Sequence, residues 1–502
     1  MMGRQSPPQE ALWGSALSLD ERIPQDHVLR KLNEAIDFDF VYREVSDRYG
    51  AVGHESVPPP VILKLLVLLT LYNVRSEREL MATLPLRLDW LWFTGYQLDE
   101  PTPGHSVLSK ARRRWGVALF ETFFERIVEQ CIDAGLVDGS KIFVDSSLVD
   151  ANASIDSLFK RAQVVAELHD RLEEPVEDLA GDQGTPEEDS AEPPEDDPSR
   201  PQTQRDQARY VSSTDPDATG TKRGKEKMRP RYATHRAIDQ TEGVITATHV
   251  GPGHENEAEH LEDLIDQHQS QTNQPLESVT ADSKYGTHEN LKACQEREIT
   301  PYIQPYKSNY GKRKGMFGAC EYRYDPTTDT YLCPAGQRLT RGGRRHDRNG
   351  YRYVAPKQAC ASCPARHLCT KSKSAPRSIV RPDNQDLADA ALKRAWSTEG
   401  VEQRKQRFWM MEGSFAQSTR FGHKRARWRG QWRVQIQALL IATVQNALIL
   451  IRRGGSHGGD ALESVPPGFQ TRLLAFLPPL VRFISLFFRN PWHSRAHPFS
   501  PT

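Results

Sequence analysis

The chain has 502 residues, enough for more than one domain and at least one large core. Lys+Arg and Asp+Glu both number 66, so net charge names no partner, while seven unevenly spaced cysteines without an apolar leader argue against a disulfide-stapled secreted protein and for reduced thiols in a cytosol. The charge is nevertheless segregated: residues 173–197 hold twelve acids and no base, residues 404–433 hold nine Lys/Arg against Glu412 alone, and residues 222–236 hold seven against Glu226.

Residues 1–22 read as disordered and residues 23–137 as helical. Pro58, Pro59 and Pro60 introduce VILKLLVLLTLYNV (61–74), 14 residues that include Lys64. That run is too short for a bilayer and predicts a buried helix. Ser76 to Glu79 has the Ser-x-x-Glu pattern of a capping box, which predicts another short helix. After the breakers Pro101, Pro103 and Gly104, Ser106 is expected to cap a single long helix ending near Gly135. Lys110, Arg112, Arg113 and Arg114 lie on it. Short helices with tight turns and a basic face suit a DNA-binding module, and they suit equally a plain bundle with a solvated basic face.

Ile142, Phe143 and Val144 predict a short strand ending on Asp145. Residues 171–219 are too polar to offset chain entropy and read as a disordered linker. Strands are expected at 243–250, at 276–286 ending on Asp282, and at 300–305, with one helical segment near 254–270. Residues 308–375 are rich in Gly, Arg and Cys and form a small inserted module. From about 385 to 451 the pattern is helical, with Gln435, Gln437, Gln445 and Asn446 interrupting the apolar stretch 432–451. Strands followed by helices predict an α/β (α+β) layered domain. The tail 452–502 contains LLAFLPPLVRFISLFF (473–488), broken by Pro478, Pro479 and Arg482, and suggests no function.

Three sets of residues carry chemistry. Asp145 and Asp282 each end an apolar run and precede a serine. Carboxylates at neighbouring strand ends can hold Mg²⁺, which prefers a few carboxylates plus water and phosphate oxygens, and a metal pair can serve phosphoryl chemistry. Glu412, isolated among bases, is the candidate third ligand; each acid alone also fits a surface group or a helix cap. Cys333, Cys360, Cys363 and Cys369 include a Cys-x-x-Cys half-site for Zn²⁺, or are buried thiols or a redox-sensitive pair. FGHKRARWRGQWR (421–433), preceded by Arg420, interleaves Lys424, Arg425, Arg427 and Arg429 with Trp428. Such a stretch binds phosphates and stacks on bases, unless Trp428 and Trp432 pack under the following helix with the arginines draped over them.

Beyond these local signals, HSVLSKARRRW (105–115), FVDSSLVDANAS (143–154), VSSTDPDA (211–218), RYATHRAIDQTEGVI (231–245), VTADSKYGTHEN (279–290) and the long segment 408–450 beginning FWMMEGSF together resemble the DDE transposases of bacterial insertion sequences, in the group with an InsH-type helical N-terminal domain. The resemblance implies an RNase H-like catalytic domain over 138–451, interrupted by the linker 171–219 and the Cys-rich insertion 308–375. It implies a helical DNA-binding domain over 23–137, with Arg112 and Arg113 among the contacts. Asp145, Asp282 and Glu412 would be catalytic and would hold Mg²⁺ (or Mn²⁺). The partners would be double-stranded DNA, as terminal inverted repeats and as target, and further copies of the chain on that DNA. No membrane role follows, and the expected place is the cytoplasm, on the nucleoid. Many relatives carry a Lys seven residues after the Glu; here Thr419 stands there, and Arg420 or Lys424 is the expected substitute. The alternative is an inactive relative that binds DNA ends without cutting them.

Overall fold

The computed structural model describes residues 1–4, 18–165, 209–305, 315–346 and 349–453, apart from 51, 53, 319, 320 and 373. Most of the expected acidic linker and the tail beyond 453 lie outside the described residues. So does most of the segment 1–22, but Leu19–Arg22 is helical, and Asp20 there accepts from the buried Arg30 (2.9 Å).

The N-terminal helices are α1 (Leu19–Arg22), α2 (Val28–Ala35), α3 (Phe40–Glu44), α4 (Pro59–Leu71), α5 (Glu77–Thr83), α6 (Leu88–Thr94), α7 (Ser106–Trp115) and α8 (Ala118–Asp133). α4 is the apolar run, buried nearly all round. Ser76 caps α5 by accepting from the Glu79 amide (3.1 Å), as its sequence predicts. The single long helix expected from Ser106 is instead two. Gly116 has φ 69°, a left-handed value that glycine adopts at little cost and that ends a helix. Arg48 donates to the Arg114 and Trp115 carbonyls left open at that end.

The main sheet contains β1 (Lys141–Asp150), β2 (Leu158–Lys160), β3 (Tyr210–Ser212), β4 (Asp215–Thr221), β5 (Arg229–Asp239), β6 (Ile245–Pro252), β7 (Ser278–Ala281) and β8 (Thr300–Pro301). Their order is β2-β3-β4-β5-β1-β7-β8, with β6 also on β5. β5 lies antiparallel between β1 and β6, whereas β7 and β8 continue from β1 in parallel. Two sequence expectations change here. β1 does not stop at Asp145 but runs to Asp150, because β5 pairs with it throughout. The last residues of the expected linker form β3 and β4: the Asp215 and Asp217 carboxylates are drawn in by the Gly430 and Gln431 amides (2.9 and 2.8 Å).

α9 (Leu261–Thr272) and α10 (His288–Glu296) connect the parallel strands. A second, antiparallel sheet follows β8 in the chain, ordered β13-β12-β11-β10-β9: β9 (Arg323–Asp325), β10 (Thr330–Leu332), β11 (Arg338–Arg345), β12 (Gly350–Val354) and β13 (Ser378–Pro382), with the short α11 (Lys357–Ala361) between the last two. α12 (Gln385–Ala395), α13 (Thr398–Arg420) and α14 (Gln431–Arg453) complete the described chain.

α14 organises the molecule. It is the one described helix long and apolar enough to cross a membrane, and most of it is buried inside the protein. Its apolar residues share a core with α2, α4, α8 and Phe143 of β1. The polar residues that interrupt it are its docking points. Asn446 brackets Ile245 of β6, accepting from its amide and donating to its carbonyl (both 2.8 Å). Gln435 donates to the Thr248 carbonyl (3.1 Å), and Gln437 clasps the 421–430 loop through the Arg427 amide and the Gly422 and Arg425 carbonyls.

Candidate active site

β1 and β7 run parallel until Val144 pairs with Ala281. The chain then leaves the sheet at Asp282, whose side chain accepts from the Ser283 amide and caps the turn Ser283–Tyr285. β7 thus ends where Asp145 begins, and the two carboxylates share the gap beside β1. Burial pushes the Asp145 carboxyl above the usual carboxylate range; Arg407 opposes the rise, and Glu257 and Asp282 add to it. Arg407, on α13, holds Asp145 at 2.7 Å and donates to the Val144 carbonyl (3.1 Å). Glu257 opens the turn Glu257–His260 and pairs with Lys284 at 2.5 Å, two residues beyond Asp282. The Tyr285 hydroxyl is buried beside Ser146, in the field of Glu257, Asp145 and Arg407.

The structure therefore brings Asp145 and Asp282 together and adds Glu257, while Glu412 is an exposed residue of α13. The reason is helical phase. Five residues advance an α-helix by about 140° beyond a full turn, so with Arg407 turned to Asp145, Glu412 faces solvent beside Phe408 and Trp409, which are 53% and 74% exposed. Among the described residues no three His, Cys, Asp or Glu side chains are arranged to hold a metal ion.

The expected DNA contacts divide in two. Arg113, Arg420, Lys424, Arg425 and Arg429 are exposed. Arg112, Arg427 and Trp428 are used internally: Arg112 is buried, paired with Glu77 and stacked on Trp428 at 3.9 Å, and Arg427 bonds to the Val74 carbonyl, Asn73 and the Phe421 carbonyl. Thr419, where relatives carry Lys, is exposed and donates to the Phe415 carbonyl of its own helix (2.9 Å).

Several site residues escape sequence reasoning. Arg236, opposite Asp145 in the β1–β5 register, is fully buried. It bonds to Ser414, Ser418 and Gln445 and sits 4.9 Å from the Phe415 ring centroid. Burial pulls its guanidinium down to about 9. On the opposite face of the same strands, His235 lies opposite Ser146 with its ring 4.0 Å from that of His260 and 6.3 Å from that of His249. Burial first, then His260 and His249, holds His235 well below the usual imidazole range. RYATHRAID does carry a faint signal, an unbroken buried run flanked by breakers, but nothing in it distinguishes Arg236 from any exposed arginine. Arg407 and Glu257 carry no local signal at all.

Cys333, Cys360, Cys363 and Cys369 all line one cavity of about 30 Å³ at the base of the second sheet. The Cys369 sulfur lies 2.9 Å from the Tyr322 hydroxyl, and Cys333 accepts from the Gln337 amide. Cys320 lies outside the described residues.

Two family models match parts of the chain. A transposase domain (DUF772) matches residues 17–114, and a transposase DDE domain matches residues 332–450, which spans the four cysteines, α13 and nearly all of α14. Both matches are to transposase domains, and together they indicate an insertion-sequence DDE transposase. A search of curated proteins returned no match. The transposase is accordingly an enzyme of DNA strand cleavage and transfer. The first match covers α1 to most of α7, and the second includes the exposed cations after α13.

Proposed function

We propose that this transposase binds the terminal inverted repeats of its own element, hydrolyses the strand there, and directs the freed 3′ hydroxyl onto a phosphodiester of target DNA. The observation that carries this reading is the shared setting of Asp145 and Asp282 at the gap between β1 and β7. The strand order β6-β5-β1-β7-β8, with β5 alone antiparallel to β1, supports an RNase H-like arrangement of the catalytic part, with α9 and α10 as its connections. The second sheet is then an insertion before α13. A helical DNA-binding domain over 23–137 and a catalytic domain over 138–451 follow, although the two share one core through α14. The reading implies double-stranded DNA as partner, further copies of the chain on that DNA, and a site of action in the cytoplasm.

Asp145 and Asp282 suit a divalent cation as two of its donors, with no third carboxylate arranged beside them among the described residues. A carboxyl raised by burial and by neighbouring carboxylates is relieved when a cation takes the place of a proton. Asp145 and Asp282 would hold Mg²⁺ or Mn²⁺, with Glu412 as third ligand. The metal would supply charge neutralisation at the phosphate and a nucleophile of lowered pKa. Arg407 holds the Asp145 carboxylate in place, and the exposed Lys424, Arg425 and Arg429 bind flanking phosphates. A second reading, favoured by the field of Glu257 at Asp145, makes Glu257 the third acid and leaves Glu412 a surface residue of α13.

Cleavage of labelled end DNA in Mg²⁺ tests the assignment. Asp145→Asn and Asp282→Asn should each reduce cutting to background while end binding stays intact; normal cutting by either variant would sink the reading. Loss of cutting in Glu412→Gln with retention in Glu257→Gln supports the first triad, and the reverse supports the second. Wild-type protein that binds ends yet never cuts would match an inactive relative.

A structural Zn²⁺ is supported by the common cavity of the four cysteines, no three of which are arranged around an ion in the structure; it would tie α11 to the second sheet. Such sites contribute directly to folding. One zinc per chain is expected by elemental analysis, lost in Cys360→Ser with Cys363→Ser; wild-type protein without zinc rejects it.

A further inference from the structure

We infer that the β11–β12 hairpin of the second sheet is a DNA-contacting ribbon, separate from the cations that follow α13. Its occupant is the phosphate backbone of duplex DNA. This rests on the DNA-transfer reading above and names a surface which that reading leaves unassigned.

The first observation is pairing. β10 covers only Arg338 to Thr340 of β11. Among the described residues, β11 from Arg341 to Arg345 is held by β12 alone, while β12 is held on its far side by β13. The outer half of β11 is therefore a free edge. The second observation is exposure: in β11 only Leu339 is buried, and the residues on both faces meet solvent. A strand that covers a core alternates buried and exposed positions; this one leaves the core after Leu339 and runs on as an exposed edge strand of the sheet.

The third observation is charge. Arg338, Arg341, Arg344 and Arg345 are exposed on β11, and half-buried Arg352 follows on β12. Among the described residues, Asp329 pairs with Arg341 at 3.2 Å and Asp383 with Arg344 at 2.7 Å. Tyr351 stiffens the array, lying under Arg341 at 3.6 Å and Arg344 at 5.6 Å. Gly342 and Gly343 sit between these arginines, where the pairing register shifts, and a bulge of this kind bends and twists a ribbon. An added Cβ on Gly343 would meet nothing within 4 Å, so the outward side there is open to an approaching backbone.

Size agrees with charge. Eight residues at about 3.4 Å each span about 27 Å, enough for arginines near both ends to meet separate phosphates. Arginine on a free edge also discourages strand-to-strand aggregation, so the test must separate these two roles.

Full-length Arg338→Gln with Arg344→Gln is compared with wild type and with Lys424→Gln/Arg425→Gln, using duplex end DNA across a salt series. Each lost phosphate contact should flatten the log-affinity versus log-salt slope by about 0.9. The ribbon variant should lose about 1.8 in slope, so that raising salt fourfold costs it about tenfold less affinity than wild type. Arg338→Lys with Arg344→Lys should restore the wild-type slope, since a phosphate contact needs charge rather than a planar fork. An unchanged slope in the glutamine variant overturns the inference, whether or not that variant self-associates. If only the Lys424/Arg425 variant changes slope, the ribbon alone fails. If neither changes, the DNA-end reading itself fails.

Discussion

Arg427 reaches from the loop after α13 to the end of α4, where its guanidinium meets the Val74 carbonyl and, at 2.7 Å, the Asn73 side chain. Charge-assisted bonds of this kind contribute about 1.5–3 kcal/mol, so Arg427→Ala should lower unfolding stability by about that much and leave the salt slope of DNA binding unmoved. Arg425, two residues earlier and exposed, should do the reverse: Arg425→Ala stays within about 0.5 kcal/mol of wild type and flattens the slope by about 0.9. Denaturation and salt titration on the two proteins distinguish these outcomes; matching behaviour would refute the division. His423 supplies a pH test. Burial, then Arg236 and Lys424, pulls its imidazole down to about 3, against about 6.5 in an unfolded chain. It is neutral in the fold and protonates first in the unfolded chain. Its contribution is therefore full above pH about 6.5 and is lost as pH falls toward 3, at about 1.4 kcal/mol per pH unit. His423→Leu should shift the acid limb of unfolding to lower pH. An unshifted limb would show that His423 is not what titrates.

At the scale of elements, the local signals were legible and the breaks less so. The Ser76 cap and the apolar α4 follow from short-range chemistry, and both form as their residues predict. The helix expected from Ser106 fails at Gly116 because its apolar periodicity continues across the glycine; only the backbone angle shows the stop. An added Cβ at Gly116 meets Arg48 no closer than 3.7 Å, so its cost is backbone strain alone. Gly116→Ala should destabilise by about 1–2 kcal/mol, measured as a lower denaturation midpoint at unchanged m-value. A neutral result would mean that α7 and α8 can join. β1 teaches a related lesson. Its apolar run ends at Val144, but nine residues pair with β5, and Asp145 lies mid-strand. Periodicity marks where burial changes, whereas pairing marks where a strand ends.

Across the whole molecule, α14 ties the N-terminal helices to the main sheet, so the two family-matched regions share one core. Leu440 is 1% exposed within it. Leu440→Ala should cost about 2–5 kcal/mol and lower the melting of both regions together. Separate transitions, followed by Trp fluorescence and by far-UV signal, would show that the domains are independent. The sequence by itself determined the resemblance to a family, the helical-then-layered order, the positions of Asp145 and Asp282 and the stretch that concentrates exposed positive charge, because each is written in residues close together along the chain. Only the tertiary structure decided which groups are free to act. Arg427 is spent on Asn73, 354 positions away, Arg112 on Trp428, and Glu257 enters the Asp145 field from a distant turn. Glu412 is turned outward by the phase of a helix whose other face holds Arg407. Availability depends on what packs against a side chain, and chain folding sets that through partners far apart in sequence.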